Sequence, residues 1–273
     1  MNLDSTIALA HRLADVSGEI IAGYFRVPYL SSETKSGEVS SIVTVADREA
    51  ENAMVDLILS HSPGDGIIRE EGENIPSRSG YFWVLDPIDG TSSFAKGLPI
   101  FGTLIGLVSE DDHNPILGIV NQPILRERWL GVRGKPTLFN TRVLNNPYVN
   151  DRTHQLQSVC LTSTTPLMFI TARQRAVAKV LQRVCKRVAF GGDCYNYMTL
   201  ASGWSVMPMV ILESDLKYYD FCALIPILQG VGAVISDWAG NTLTPDSTEV
   251  LAAPNEELLN QALKAIEWVN LDR

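Results

Sequence analysis

The residues best equipped for chemistry in this 273-residue chain are Asp86-Pro87-Ile88-Asp89-Gly90-Thr91. Two carboxylates three residues apart on a tight Pro/Gly turn can converge on one side, with the Ile88 carbonyl turned the same way. Three hard oxygen donors of that kind suit magnesium, which takes octahedral oxygen coordination and keeps several waters. Gly90 lets the backbone approach a ligand closely. The amides of Gly90, Thr91 and Ser92 would lie at a helix N-terminus, which favours an anion such as phosphate. The plainer alternative is an Asp/Pro/Gly turn with Thr91 as a helix cap. The whole hexapeptide behind the apolar run Tyr81–Leu85 favours the chemical reading.

Further acids could join it. Glu70-Glu71 follow the strand-like Ile67-Ile68, so one of them can face the same cleft, although adjacent glutamates are more often solvated. Asp220 lies between Tyr219 and Phe221 at the start of an apolar helix. A first-turn acid is favoured by the helix dipole, but a carboxylate among aromatics needs a partner, and a metal would be one. Asp47 is either the distal half of a capping box begun at Thr44 or a group that orients a catalytic threonine or water. Other chemistries fit less well. There is no Gly-x-Ser-x-Gly and no Gly-Lys-Ser, and His11, His61, His113 and His154 fall on helix surfaces or in polar loops. Asp-x-x-Asp, in place of Asp-x-Asp, favours direct attack by water over an aspartyl-phosphate intermediate.

The elements that must position these groups follow from periodicity. Leu9, Leu13, Val16, Ile20 and Tyr24 predict an amphipathic helix over 4–25, capped by Asp4 or Ser5. A polar loop over 26–40 contains Lys35, which is either solvated or within reach of phosphate. A second helix is predicted over 44–60. Strands are predicted at 66–68, 81–85 (stopping at Asp86), 100–108, 116–120 and 127–132. Residues 145–155 read as a link between halves 1–145 and 156–273 of a single 1–273 domain. Beyond it the prediction alternates: strand 158–161, helices 166–186 and 194–203, strand 209–212, helix 219–231, strands 234–236 and 250–252, and helix 256–268. Strands in series followed by alternation argue for a layered α/β or α+β sandwich.

Hydrophobic residues make up 45% of the chain, enough for a sizeable core, and the formal net charge is −9. Such acidity argues against nucleic-acid binding. An anionic substrate would need a local reversal of sign, which cations held by carboxylates supply. Cys160, Cys185, Cys194 and Cys222 show no metal or redox spacing and read as reduced thiols. No signal peptide and no membrane-crossing run is read, so the expectation is a soluble, cytoplasmic protein with no membrane partner.

Val43-Thr44-Val45-Ala46-Asp47, Glu70-Glu71, Trp83-Val84-Leu85-Asp86-Pro87-Ile88-Asp89-Gly90-Thr91 and Tyr219-Asp220 with Gly230-x-Gly232 resemble the inositol monophosphatase superfamily over nearly the whole chain. One departure is Arg69, where relatives usually have glycine; it leaves the ligands in place but can alter the adjacent turn. Ser93 in place of asparagine, Gly191-Gly-Asp-Cys-Tyr195 and Tyr219–Pro226 are most similar to the histidinol-phosphate phosphatase branch.

The resemblance implies an αβαβα sandwich, usually a homodimer, acting on a small-molecule phosphate ester. It implies two or three magnesium ions held by Glu70, Asp86, the Ile88 carbonyl, Asp89 and Asp220. Asp47 and Thr91, with Glu70 near, would orient the attacking water. Asp193 and Glu213 would meet the organic part of the substrate, and an acidic pair there suits the amine of histidinol phosphate. Asp193 is also a candidate N-cap after Gly191-Gly192. An inositol or broad sugar-phosphate phosphatase, and a non-catalytic metal-dependent binding protein, remain alternatives.

Overall fold

The computed structural model describes residues 2–27, 32–34, 42–111 and 114–270. Lys35, His113 and most of the expected 26–40 loop lie outside them. Helix α1 (Leu3–Tyr24) buries Leu9, Leu13, Ser17 and Ile21 together with Ala10, Ala14 and Gly18. This stripe is rotated from the expected one, leaving Val16, Ile20 and Tyr24 half-buried at its margin. Small residues set the rotation: a Cβ on Gly18 would fall 3.0 Å from Asn121 Nδ2. The cap is Asn2, whose side chain accepts from the amides of Asp4 and Ser5. The expected caps, Asp4 and Ser5, are therefore already inside the helix.

Strands β1 (Ser32–Thr34) and β2 (Ile42–Thr44) pair antiparallel where no strand is expected, and α2 (Val45–His61) follows directly. The larger sheet has seven strands in chain order. They are β3 (Gly66–Arg69), β4 (Tyr81–Asp89), β5 (Gly102–Ser109), β6 (Pro115–Gln122), β7 (Glu127–Val132), β8 (Leu138–Phe139) and β9 (Arg142–Val143). Only the β3–β4 pair is parallel. Contrary to expectation, β4 does not stop at Asp86. Asp86 pairs with Leu104 and Asp89 with Gly102, so Pro87 and Ile88 together oppose Thr103 across a bulge. The short helix α3 (Thr91–Ala95) then leaves the strand end.

The second half contains β10 (Cys160–Ser163), α4 (Ala172–Val184), β11 (Arg187–Phe190), α5 (Asp193–Ser202), β12 (Met209–Ser214), α6 (Tyr218–Phe221), α7 (Leu224–Val231), β13 (Val234–Ser236), β14 (Glu249–Ala253) and α8 (Glu256–Asn270). Its five strands run in the order β11-β10-β12-β14-β13, partly parallel. Helix α4 starts six residues later than expected, because Thr171 and Gln174 form a reciprocal capping box there. The expected 219–231 helix is broken into α6 and α7 at Cys222–Ala223.

Alternation along the strands builds the layers. Leu85, Ile105, Leu117 and Ile119 face α1 and α2, packing on Leu9, Leu13, Met54 and Ile58. Val84, Leu104 and Val120 face the other way, onto α5, α6, α7 and the inner face of the small sheet at Ile211, Val250 and Ala252. The outer face of that sheet, with Val210, Leu212 and Leu251, is covered by α4 and α8 through Val177, Leu181, Leu258 and Ala262. The result is the αβαβα order expected. Among the described residues, no helix is long and apolar enough to cross a membrane.

Three glycines set how closely the middle helices approach. Gly106, Gly118 and Gly131 are register partners on β5, β6 and β7. A Cβ would fall 2.7 Å from Cys222 Sγ at Gly106, 1.9 Å from the Ala223 carbonyl oxygen at Gly118, and 2.3 Å from the Ile227 amide at Gly131. This trough seats the α6–α7 junction, and with it Asp220. Gly118→Ala therefore forces backbone apart and should cost about 2–3 kcal/mol in urea denaturation. Gly23→Ala, at a helical position with nothing within 4 Å, should instead gain about 0.5 kcal/mol. Equal stability of the two variants would remove the trough argument.

Candidate functional site

Four acids from three elements meet at the end of β4. Glu70 directly follows β3, Asp86 and Asp89 lie on β4 on either side of its bulge, and Asp220 is on α6. Asp86, Asp89 and Asp220 each bring a carboxylate oxygen within 4.8 Å of the others. Glu70 lies within hydrogen-bonding range of Asp86. The bulge explains the convergence: one extra residue between the aspartates turns both carboxylates to the same edge. It is held from beneath by Ile88, fully buried in a satellite core with Ile21, Ala46, Ala50, Phe94 and Phe101. The Phe94 and Phe101 rings meet edge-on at 5.2 Å, fixing α3 against the turn.

Crowding and burial dominate the electrostatics. Burial, then Glu70, Asp89 and Asp220, hold the Asp86 carboxyl well above the usual carboxylate range. Asp89 is raised by burial, then by Asp193 and Asp220, against a lowering bond from the Cys194 amide to Oδ2 at 2.5 Å. Asp220 is raised chiefly by burial, although its Oδ2 accepts the Lys217 amide at 2.6 Å. Among the described residues, Asp86 Oδ1 is buried without a hydrogen-bond partner. A buried, unsatisfied oxygen among converging carboxylates is the donor set a hard divalent cation requires, so these residues fit magnesium.

The phosphate-binding candidates stand beside it. Gly90 caps α3 at φ +92°, and its carbonyl accepts the amides of Ser93 and Phe94. The first-turn amides of Thr91 and Ser92 have no acceptor within the helix by geometry. Thr91 Oγ1 donates to the Ile88 carbonyl at 2.9 Å, joining two of the expected site groups directly. Asp47 is buried on α2, one turn before the fully buried Glu51.

Asp193 reaches the site from the other half. Gly191, Gly192 and Asp193 have successive positive φ values of 98°, 109° and 42°, a turn that aims the start of α5 at Asp89. Gly192 is the cap, so Asp193 is the first helical residue and not the N-cap considered from sequence. A Cβ on Gly90 would fall 3.0 Å from Asp193 Oδ2, and Ser93 Oγ donates to that oxygen at 3.4 Å. Burial pushes the Asp193 carboxyl up to about 6. Glu213 lies deeper, only 2% exposed. Its Oε1 accepts from the Thr164 amide and hydroxyl and its Oε2 from the Tyr197 hydroxyl, while burial pushes it up to about 7. Ser93 was read in the sequence only as a mark of the branch, and Thr164 and Tyr197, which support Glu213, escaped the sequence reading. So did Glu51, although Asp47-x-x-x-Glu51 already placed two acids on one helix face. A separate groove of about 630 Å³, lined by His11, Asp15, Asn121, Arg126 and Arg128 among others, contains none of the carboxylates of this site.

The inositol monophosphatase family matches residues 2–269. The chloroplastic bifunctional phosphatase IMPL2 of Arabidopsis thaliana is 40% identical over 277 residues, covering 97% of this chain and 76% of that protein. The histidinol-phosphatase of Chlorobaculum parvum is 29% identical over 255 residues, covering 91% and 92%. An inositol monophosphatase structure from Zymomonas mobilis aligns at 41% identity with a TM-score of 0.84, covering 98% of this chain and 99% of that one. With a family match across nearly its whole length and a converging acidic centre at the matching motif, the chain belongs to the inositol monophosphatase family of phosphatases.

Proposed function

We propose that the chain is a magnesium-dependent histidinol-phosphate phosphatase, taking residues 1–273 as one domain. Glu70, Asp86, the Ile88 carbonyl, Asp89 and Asp220 would hold the magnesium. Bound there, it would supply Lewis-acid stabilisation of charge and a water made acidic enough to attack at neutral pH. The amides of Gly90, Thr91 and Ser92 would receive phosphate oxygens at the start of α3. Asp47, Glu70 and the Thr91 hydroxyl would orient the water in line with the leaving oxygen.

The observation that carries the substrate choice is the position of Asp193, a half-buried carboxylate 3.0 Å from where a Gly90 Cβ would stand. It lies beside the phosphate-binding turn, at the reach of an ester's organic half. The Ser93 hydroxyl, Lys96 and Thr164 offset part of this charge, and a substrate ammonium would compensate the rest, which a neutral polyol would not. Glu213, backing Asp193 through Thr164, adds to the same negative field. The name of the Chlorobaculum relative agrees with this substrate. The second reading, an inositol or broad sugar-phosphate phosphatase, is favoured by the inositol monophosphatase structure from Zymomonas mobilis, 41% identical.

A panel of phosphate esters, with histidinol phosphate, inositol 1-phosphate and sugar phosphates, separates the two. Histidinol phosphate should show a kcat/KM about tenfold or more above any neutral ester, a difference near 1.4 kcal/mol. Asp193→Asn, which keeps a residue tolerant of positive φ, should remove most of that preference. An equal loss on charged and neutral esters would leave the second reading in place.

Asp89→Asn tests the metal assignment. It keeps the acceptor for the Cys194 amide but removes a charge, and should lower kcat more than about 100-fold with an unchanged far-ultraviolet circular dichroism spectrum. Near-parental turnover at ordinary magnesium would exclude Asp89 as a ligand.

The raised carboxyls also fix a pH response. A group whose folded pKa is raised contributes stability that is complete below its unfolded value and is lost as pH rises through the folded one. Asp193, about 6 against an ordinary 3.8, and Glu213, about 7 against an ordinary 4.5, place that loss between about pH 4 and 7. In chelator, the melting temperature should fall by about 5 °C across that window, and saturating magnesium should shrink the fall by replacing protons at the cluster. A flat profile in chelator would mean that these acids are not held in an ion-hostile setting.

A further inference from the structure

Arg69 stands where the resemblance leads one to expect glycine, and the structure gives it a defined set of partners. Its Nε donates to Glu51 Oε2 at 2.8 Å, and its Nη2 lies 2.8 Å from the same oxygen. Nη2 also donates to Asn52 Oδ1 at 2.8 Å. The other oxygen of Glu51, Oε1, accepts the backbone amide of Glu71 at 2.9 Å. One carboxylate thus grips the residue before Glu70 by its side chain and the residue after it by its backbone. The Arg69 amide is tied in turn to Asn74 Oδ1 at 2.9 Å.

Two features show that this arrangement is built for position. Glu51 is 0% exposed, and a buried ion pair is often no more stabilising than apolar residues of the same volume, so its yield is defined geometry more than stability. The space is also specific: a Cβ on Gly72 would fall 2.3 Å from Arg69 Cζ and 2.5 Å from Nη2. The two charges cancel, so the pair fixes the strand end without adding a cation that would compete with magnesium for Glu70. Glu51 is one turn beyond Asp47 on α2, so a single helix face carries Asp47 and anchors the segment that carries Glu70.

We propose that Glu51 and Arg69 are a positioning pair that sets Glu70 against Asp86 and Asp47. This rests on the assignment of Glu70 to the metal and water site.

The test replaces the pair by apolar residues, Glu51→Leu with Arg69→Met, which leaves no lone buried charge. Magnesium affinity is read by titration calorimetry, with kcat, KM and melting temperature alongside. The expected double variant melts within a few degrees of the parent and binds magnesium about tenfold more weakly. Its kcat falls about tenfold or more, while KM for the ester moves less than about twofold. Gly72→Ala, which keeps both charges but displaces the guanidinium, should move magnesium affinity and kcat in the same direction, and Arg69→Lys should fall between it and the parent. In a Glu70→Gln background, the apolar pair should change kcat by less than about twofold, since its target is gone. Parental magnesium affinity and kcat in the apolar pair and in Gly72→Ala would overturn the proposal and leave a structural ion pair. A full multiplicative loss in the Glu70→Gln background would also overturn it, because the pair would then act elsewhere. Parental activity and magnesium affinity in Glu70→Gln alone would overturn the site assignment underneath it.

Discussion

Carboxylates buried side by side are the constraint on which the rest of this structure depends. Like charges at close range in a poorly polarisable interior oppose one another strongly. Asp86, Asp89 and Asp220 are each raised by burial first, and acid neighbours add to the shift. The chain answers with dipoles more than with side-chain cations: the Cys194 amide bonds Asp89 and the Lys217 amide bonds Asp220. Such bonds compensate only in part, and Asp86 Oδ1 stays unsatisfied among the described residues. The remaining deficit has the sign that a divalent cation would fill. This is how a chain of net charge −9 can present a site to an anionic ester.

Holding such a cluster together demands rigid delivery from separate layers. Glu70, Asp86 and Asp89 come from the large sheet, Asp220 from a helix of the second half, and the Cys194 amide from another. The glycine row on β5, β6 and β7 allows backbone to touch backbone at the α6–α7 junction, which fixes Asp220 more tightly than interdigitating side chains could. On the opposite face the Ile88, Phe94 and Phe101 cluster clamps the bulge and α3. Side-chain packing therefore acts on the chemistry through the backbone it immobilises.

The part of the site most directly legible in the sequence was confined to a short segment, with Glu70 and Asp220 readable only as candidates to join it. Asp86–Thr91 could be read as a metal and phosphate turn because its donors and its backbone freedom sit within six residues. The layered fold was legible from the change between strand series and helix–strand alternation. What stayed hidden required tertiary information. The strand was expected to end at Asp86 because Asp and Pro are poor strand formers, yet a bulge let pairing resume at Asp89. The single apolar helix over 219–231 is interrupted at Cys222–Ala223 for a local reason, because Pro226 has no N–H to offer the Cys222 carbonyl. Local capping chemistry moved other boundaries: Asn2 captured the first helix and Thr171 the fourth. Arg69 was visible as a departure, but its partner on α2 was not, since nothing local says that Glu51 faces inward toward it.

The start of α5 joins the two kinds of recognition that the proposed reaction needs. Asp193 and Cys194 are adjacent, yet one turns its carboxylate to the Ser93 hydroxyl, beside the turn proposed to take phosphate, and the other an amide to Asp89. Positive φ values at Gly191, Gly192 and Asp193 make both directions possible from one turn, a strained conformation held by the Asn196 side chain donating to the Gly191 carbonyl. Asp193 is also, after burial, the leading cause of the raised Asp89 carboxyl. Within the proposed reading, an ammonium seated on Asp193 would weaken that repulsion and favour ionised Asp89, and so the cation it helps to hold. Linkage then requires the converse, that a cation on Asp89 strengthens amine binding at Asp193. Substrate choice and metal affinity are, on this geometry, two readings of one electrostatic interaction across a single helix start.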